Sequence, residues 1–223
     1  MTAKFNILEI VKASIVGLFL MCFVSCTSNK STEMKNQSAT AAKNILLEPW
    51  TGPYNGIPPL DKINIADFKP ALLAAMAEDS MEILKITSNP DTPTFENTIA
   101  ALELTGSTYL RVFNLFNIWS SNMNTPEFQI IDTEMQPIIA AFNDQINQNE
   151  ALFKRIQVVY NSPEKQKLTS EQQRLVWKYY TDFVYNGAQL DAAAKKKVAD
   201  INQKLASLNT KFSQNLLSDE GDL

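Results

Sequence analysis

Apolar side chains between Phe68 and Leu216 recur at steps of three, four and seven residues, the spacing that lays one hydrophobic stripe along an α-helix. The first such stretch carries Leu72, Met76, Ile83 and Ile86 and ends at Asn89-Pro90. Asp67 is placed to cap it, and Pro70 falls in its first turn, where a missing N–H costs nothing. The heaviest stretch runs from Pro93 to Trp119 and predicts one long rod with Phe95, Ile99, Leu102, Tyr109, Phe113 and Phe116 on a single face. Thr94 can cap its first turn, and Glu96 sits where the positive end of the helix dipole favours an acid. Gly106 interrupts this rod. It either weakens the helix by about 1 kcal/mol against alanine or lets another helix approach closely.

Thr125-Pro126-Glu127 gives a cap, a first-turn proline and an acid in order, and so starts a third helix, with Pro137 expected to kink it. A short fourth helix is predicted from about Glu150 to Tyr160, followed by a surface loop over 161–168. Thr169 and Gln172 form a capping box for a fifth helix that carries Leu175, Val176, Tyr179, Phe183 and Val184. Gly187 is its expected left-handed cap. Asp191 opens the last helix, on which Ala194, Val198, Ile201, Leu205, Leu208, Phe212 and Leu216 alternate by four and three. That a/d seam predicts a long antiparallel hairpin with the fifth helix, burying residues such as Leu205 between them. Lys195, Lys196 and Lys197 fall off the seam and read as a solvated face. No strand pattern and no internal repeat emerges, so the fold class is all-α.

The chain before Phe68 is organised differently. In 1–25, Lys4 and Lys12 lead into a run without charge from Ala13 to Val24. Twelve residues at about 1.5 Å each span roughly 18 Å, short of a bilayer core of about 30 Å, so a signal peptide is expected rather than a membrane-spanning anchor. Small Ser25 before Cys26 is similar to a bacterial lipobox, which makes Cys26 the candidate lipidation site; ordinary signal cleavage near Ser25 is the alternative. Residues 26–44 are small and polar, as a flexible tether would be. The segment 45–65 contains Pro49, Pro53, Pro58 and Pro59 and cannot be a long helix. Its Trp50, Tyr54, Ile57 and Leu60 suggest an extended strap packed on the helices, or else an aromatic ligand platform. The expected organisation is therefore a signal peptide (1–25), a tether (26–44) and a helical domain (45–223).

Composition narrows the chemistry. Of 223 residues 45% are hydrophobic and 20% charged, a globular balance, and a net charge of -4 gives no footprint for nucleic acid. There is no histidine, which removes the commonest general base and the commonest zinc ligand. Cys22 lies inside the apolar run, and no cysteine follows Cys26, so neither a disulfide framework nor a cysteine metal site is expected. No nucleophile elbow, P-loop, dinucleotide fingerprint or H-E-x-x-H motif occurs. The acids Glu78 and Asp79 read as local and exposed. No catalytic and no metal-ligating residue is assigned, and substrate-binding residues stay open. The stripe on the last helix asks for more partners than its neighbours provide, so a chain that continues beyond Leu223 is expected.

Several phrases in order carry a family likeness. They are Trp50-Thr51-Gly52-Pro53-Tyr54, then Ile57-Pro58-Pro59-Leu60-Asp61-Lys62-Ile63 and Phe68-Lys69-Pro70-Ala71. Asn89-Pro90, Pro93-Thr94-Phe95-Glu96-Asn97-Thr98-Ile99, Ala101-Leu102-Glu103 and Gly106 follow. Phe183-Val184, Gly187-Ala188-Gln189-Leu190, Ile201-Asn202, Leu205-Ala206 and Phe212-Ser213-Gln214-Asn215-Leu216-Leu217 complete the set. From Leu46 onward the chain resembles the N-terminal region of the thimet oligopeptidase family of zinc metallopeptidases, most of all its bacterial peptidyl-dipeptidase branch.

That resemblance implies an all-α domain forming one wall of a deep channel, which short peptides enter and from which C-terminal dipeptides are released. It also implies a later catalytic domain, where H-E-x-x-H and a downstream glutamate hold zinc. Zinc is thus expected outside this chain, and the partners expected are that catalytic domain, short peptides, and a membrane reached through a lipid on Cys26. The expected location is the periplasmic side of a bacterial envelope membrane. The alternative is a free-standing, non-catalytic helical lipoprotein that binds peptides or a protein partner.

Overall fold

A computed structural model describes residues 44–51, 53 and 56–221. Cys26, the signal segment 1–25, nearly all of the tether and Tyr54 lie outside the described residues. The described chain is all-α: α1 (Phe68–Thr87), α2 (Ala101–Glu103), α3 (Ser107–Asn122), α4 (Pro126–Asn147), α5 (Glu150–Asn161), α6 (Ser170–Tyr185) and α7 (Ala192–Gly221). A π-helical segment, Phe95–Ala100, leads directly into α2.

Most helix ends follow their local signals. The Thr125 hydroxyl accepts from the Phe128 N–H at 3.3 Å with Pro126 at the first position, and Asn149 caps α5 through the Leu152 N–H at 2.9 Å. Thr169 and Gln172 close a reciprocal capping box on α6, at 3.3 and 3.0 Å. Gly187, at φ +91°, ends α6: its N–H bonds the Val184 carbonyl, and the Ala188 N–H bonds that of Phe183. This is the paired 5→2 and 6→1 arrangement that only a left-handed residue permits comfortably. The cap of α1 differs from expectation. A single 3-10 turn, Ile65–Asp67, precedes it, and Asp67 reaches back to accept from the Asn64 N–H at 3.1 Å instead of capping α1 itself.

The predicted rod over 93–119 is broken. Gly106 adopts φ +69° and separates α2 from α3. A Cβ built there would stand 2.9 Å from Oδ2 of Asp79, and the Gly106 N–H donates to Glu82 Oε2 at 2.8 Å. The glycine therefore supplies both the left-handed turn and the close approach of α1.

Two apolar cores lie at the two ends of α1. Around its N-terminal half, Phe68, Leu72, Val112, Leu115, Phe116, Trp119, Phe128 and Met135 join α1, α3 and α4. The Phe68, Phe116 and Phe128 rings meet at centroid distances of 5.1 to 6.0 Å. Around its C-terminal half, Ile83, Ile86, Ile99, Leu102, Leu152, Ile156, Val176 and Phe183 join α1 to α2, α5 and α6. Of the apolar residues expected to pack the strap, Trp50 is partly buried against the first core, where Leu46 is buried and Ile63 partly buried beside it. Ile57 and Leu60 are exposed, however.

The last helix pairs with a different partner from the one its seam suggests. α7 runs antiparallel along α4, not along α6. Lys195 meets Gln148, Asn202 meets Asp144, and Gln214 meets Gln129 and Thr133. The reason is the face that α7 turns inward. Its partly or fully buried positions include Ala194, Lys195, Val198, Ala199, Asn202, Gln203, Ala206, Thr210, Gln214 and Leu217, mostly small or hydrogen-bonding residues that let two backbones come close.

Candidate functional site

The inward choice of α7 leaves its apolar stripe outside. Ile201, Leu205, Leu208, Phe212 and Leu216 are all exposed, Phe212 to 68%. They recur at intervals of four, three, four and four residues, so they form one continuous ridge on a helix of 30 residues. A ridge of this length left exposed among the described residues is the usual mark of an interaction surface. Of the lysines read as a solvated face, Lys196 and Lys197 are exposed, whereas Lys195 is buried and bonds the Gln148 carbonyl and Glu150 Oε1, each at 3.2 Å. Its long aliphatic stem carries the ammonium from the helix surface into the α4–α7 groove.

Asp79 also departs from its sequence reading. It is only 6% exposed, on the side of α1 that meets the Gly106 break. Burial raises its carboxyl above the ordinary value of 3.8; the neighbouring Glu82 and Glu78 push the same way, and a hydrogen bond from Thr105 opposes them. Among the described residues Oδ1 has no hydrogen-bond partner. The Tyr109 hydroxyl, likewise buried and without a partner among the described residues, is pushed up to about 12 by desolvation and by the charge of Asp79. Burial, with the acceptor Glu103 Oε1 at 2.6 Å, also raises the Tyr179 hydroxyl.

The phrase Pro93–Ile99 has a structural role. Thr94 and Asn97 cap each other: the Asn97 N–H donates to Thr94 Oγ1 at 3.2 Å, and the Thr94 N–H donates to Asn97 Oδ1 at 2.8 Å. Arg155 of α5, 7% exposed, donates to the Asn89 and Asp91 carbonyls at 2.8 and 3.3 Å and to Asn97 Oδ1 at 3.0 Å. One guanidinium thus ties three points of the α1–α2 connection, the geometry its planar fork suits. No sequence spacing marks Arg155 for this, because its partners lie 58 to 66 residues away. Glu96 stays exposed on the wall of a neighbouring cleft of about 320 Å³.

Among the described residues no three His, Cys, Asp or Glu side chains converge as metal ligands. The described residues therefore do not fit a zinc site, and no step of a metal-assisted reaction is assigned to them.

This is a helical domain with a structural capping hub and an exposed apolar ridge, and its sequence matches a known one: the N-terminal domain of neurolysin and thimet oligopeptidase fits residues 71–195. The chain belongs to this oligopeptidase family. It is similar to the dipeptidyl carboxypeptidase of Escherichia coli (strain K12), with 34% identity over 175 residues, 78% of this chain and 26% of that protein. The corresponding protein of Salmonella typhimurium is 32% identical over the same length. Oligopeptidase A of Escherichia coli is 22% identical over 172 residues, 77% of this chain and 25% of that protein. The chain spans about a quarter of the length of these relatives.

Proposed function

We propose that this chain is the N-terminal, channel-forming part of an exported peptidyl-dipeptidase, which releases C-terminal dipeptides from short peptides once a zinc-bearing catalytic domain is joined to it. The observation that carries this reading is the 34% identity to a dipeptidyl carboxypeptidase over 78% of the chain. The exposed ridge on α7 supports it, since a five-residue apolar stripe is the kind of surface on which a further domain seats. In this reading the chain contributes a wall and a docking face, and the catalytic domain contributes zinc and the activated water.

Export rests on the sequence of 1–26. A lipid on Cys26 would hold the helical domain at a membrane on the periplasmic side. No helix among the described residues is long and apolar enough to cross a membrane, so attachment would fall to the N-terminal segment.

The test pairs this chain with a separately expressed catalytic segment of the Escherichia coli dipeptidyl carboxypeptidase. Dipeptide release from a blocked tetrapeptide is then measured with zinc and with a chelator. Activity above that of the catalytic segment alone, lost with the chelator, is expected. No gain on mixing, with both pieces folded, would favour the non-catalytic binding lipoprotein.

A further inference from the structure

The ridge of α7 is bordered by charge on one flank only. Lys197, Lys204 and Lys211 are exposed and stand seven residues apart, so they form a single row along the helix. Lys204 comes three residues after Ile201 and four before Leu208, and Lys211 three after Leu208, which sets that row against the ridge. None of the three makes an ion pair among the described residues, whereas Lys195 is met by Glu150 at 3.2 Å and Lys196 by Asp200 at 2.7 Å. Asp219 and Glu220, the other acids of α7, come after the last ridge residue, Leu216. The opposite flank is uncharged: Asn202 donates to Asp144, and Asn209 and Ser213 follow it. Where two helices pair through an apolar seam, the charges that border the seam choose the partner.

We propose that α7 docks a helix whose apolar stripe is bordered by Asp or Glu at seven-residue spacing, one carboxylate set against each of these three lysines. This rests on the reading of α7 as the seat of the catalytic part, and adds the charge that part must bring. A second copy of the chain does not supply it. An antiparallel copy with Leu205 against Leu208 brings Lys204 toward Lys211, like against like, and a parallel copy sets the lysines beside Asn202, Asn209 and Leu216. An anionic lipid surface would be met by lysines on either flank. One row at the heptad step matches a neighbouring helix.

The test measures the fluorescence anisotropy of three labelled synthetic peptides titrated with the 223-residue chain. The peptides share one helical sequence with leucine at the seam positions, and differ only in the row along one flank, which is Glu, Gln or Lys. In dilute buffer the Glu peptide should bind at least about tenfold more tightly than the Lys peptide, the combined effect of three exposed ion pairs, and the gap should close in about 1 M salt. Lys197→Glu/Lys204→Glu/Lys211→Glu should reverse the order, and the three Gln replacements should abolish it. All three positions are exposed, so both variants should keep the parent's helical circular dichroism. Equal binding of the Glu and Lys peptides, or an order unchanged in the triple-Glu variant, would overturn the proposal. Lysine-dependent binding to phosphatidylglycerol vesicles, with none to the Glu peptide, would overturn it in favour of a lipid surface. Sedimentation with the Escherichia coli catalytic segment separates this from the broader reading: association that survives charge reversal unchanged removes the charge requirement and leaves docking intact, whereas a parent chain that binds the Glu peptide but not the segment removes the docking of that segment alone.

Discussion

The α1–α3–α4 core and the α4–α7 interface share one helix but are built by opposite rules. In the core, α4 presents Phe128, Met135, Ile139 and Phe142 to fully buried aromatic and aliphatic partners. Along α7, the same helix presents Gln129, Thr133 and Asp144 to Asn202 and Gln214. The first surface is held by apolar burial and the second by small residues and hydrogen bonds. Net stabilisation per hydrogen bond is only about 0.5–1.5 kcal/mol, against roughly 1.5–3 kcal/mol for burying one large apolar side chain. The lesson is that α7 uses its polar side for self-packing and keeps its apolar side for something else.

The comparison breaks most visibly at Phe116. Its ring is fully buried among Phe68 and Phe128, so Phe116→Ala should cost about 3–5 kcal/mol in urea unfolding. A loss under about 1 kcal/mol would mean that the aromatic cluster is not the main support of the fold.

A middle effect is expected where α1 meets the Gly106 break. The folded state raises the Asp79 carboxyl above 3.8, so its burial favours folding most when it is protonated. That contribution is complete below 3.8 and is lost as pH rises through the raised folded value. Asp79→Asn should therefore be more stable than the parent at neutral pH, and the gap should close on acidification toward pH 3. Thermal melts across pH 3 to 8 check this; a gap that widens toward acid would reverse the assignment.

The smallest effect belongs to the ridge. Leu205 is 49% exposed, so Leu205→Ala should change stability by less than about 0.5 kcal/mol. A cost of about 2–5 kcal/mol would restore the buried seam that its heptad spacing suggests.

These contrasts explain what the sequence could reveal. Thr125, Thr169 with Gln172, Gly187 and Asp191 were legible because each acts within a few residues of itself, through caps whose chemistry is local. The Asp191 side chain, for example, accepts from the Ala194 N–H at 2.8 Å. The partner of α7 was not legible, because an a/d stripe states that a helix has an apolar face and not what covers it. The face that does pack, through Ala199, Ala206 and Thr210, carries no hydropathy signal. Asp79 and Lys195 look solvated in the sequence for a related reason. A polar residue next to exposed neighbours looks solvated until a distant segment, here Gly106 or Gln148, closes over it. Arg155 carries no local signal because its hydrogen bonds span the fold.

On the function proposed above, the outward face of α7 would be where the rest of an oligopeptidase seats. Sedimentation velocity of this chain mixed with the catalytic segment of the Escherichia coli dipeptidyl carboxypeptidase tests it directly, using the parent and a Leu205→Asp/Phe212→Asp variant. Both substitutions fall on exposed positions, so the variant should keep the parent's helical circular dichroism. A one-to-one complex is expected with the parent and separate species with the variant. A variant that associates as tightly as the parent would contradict it.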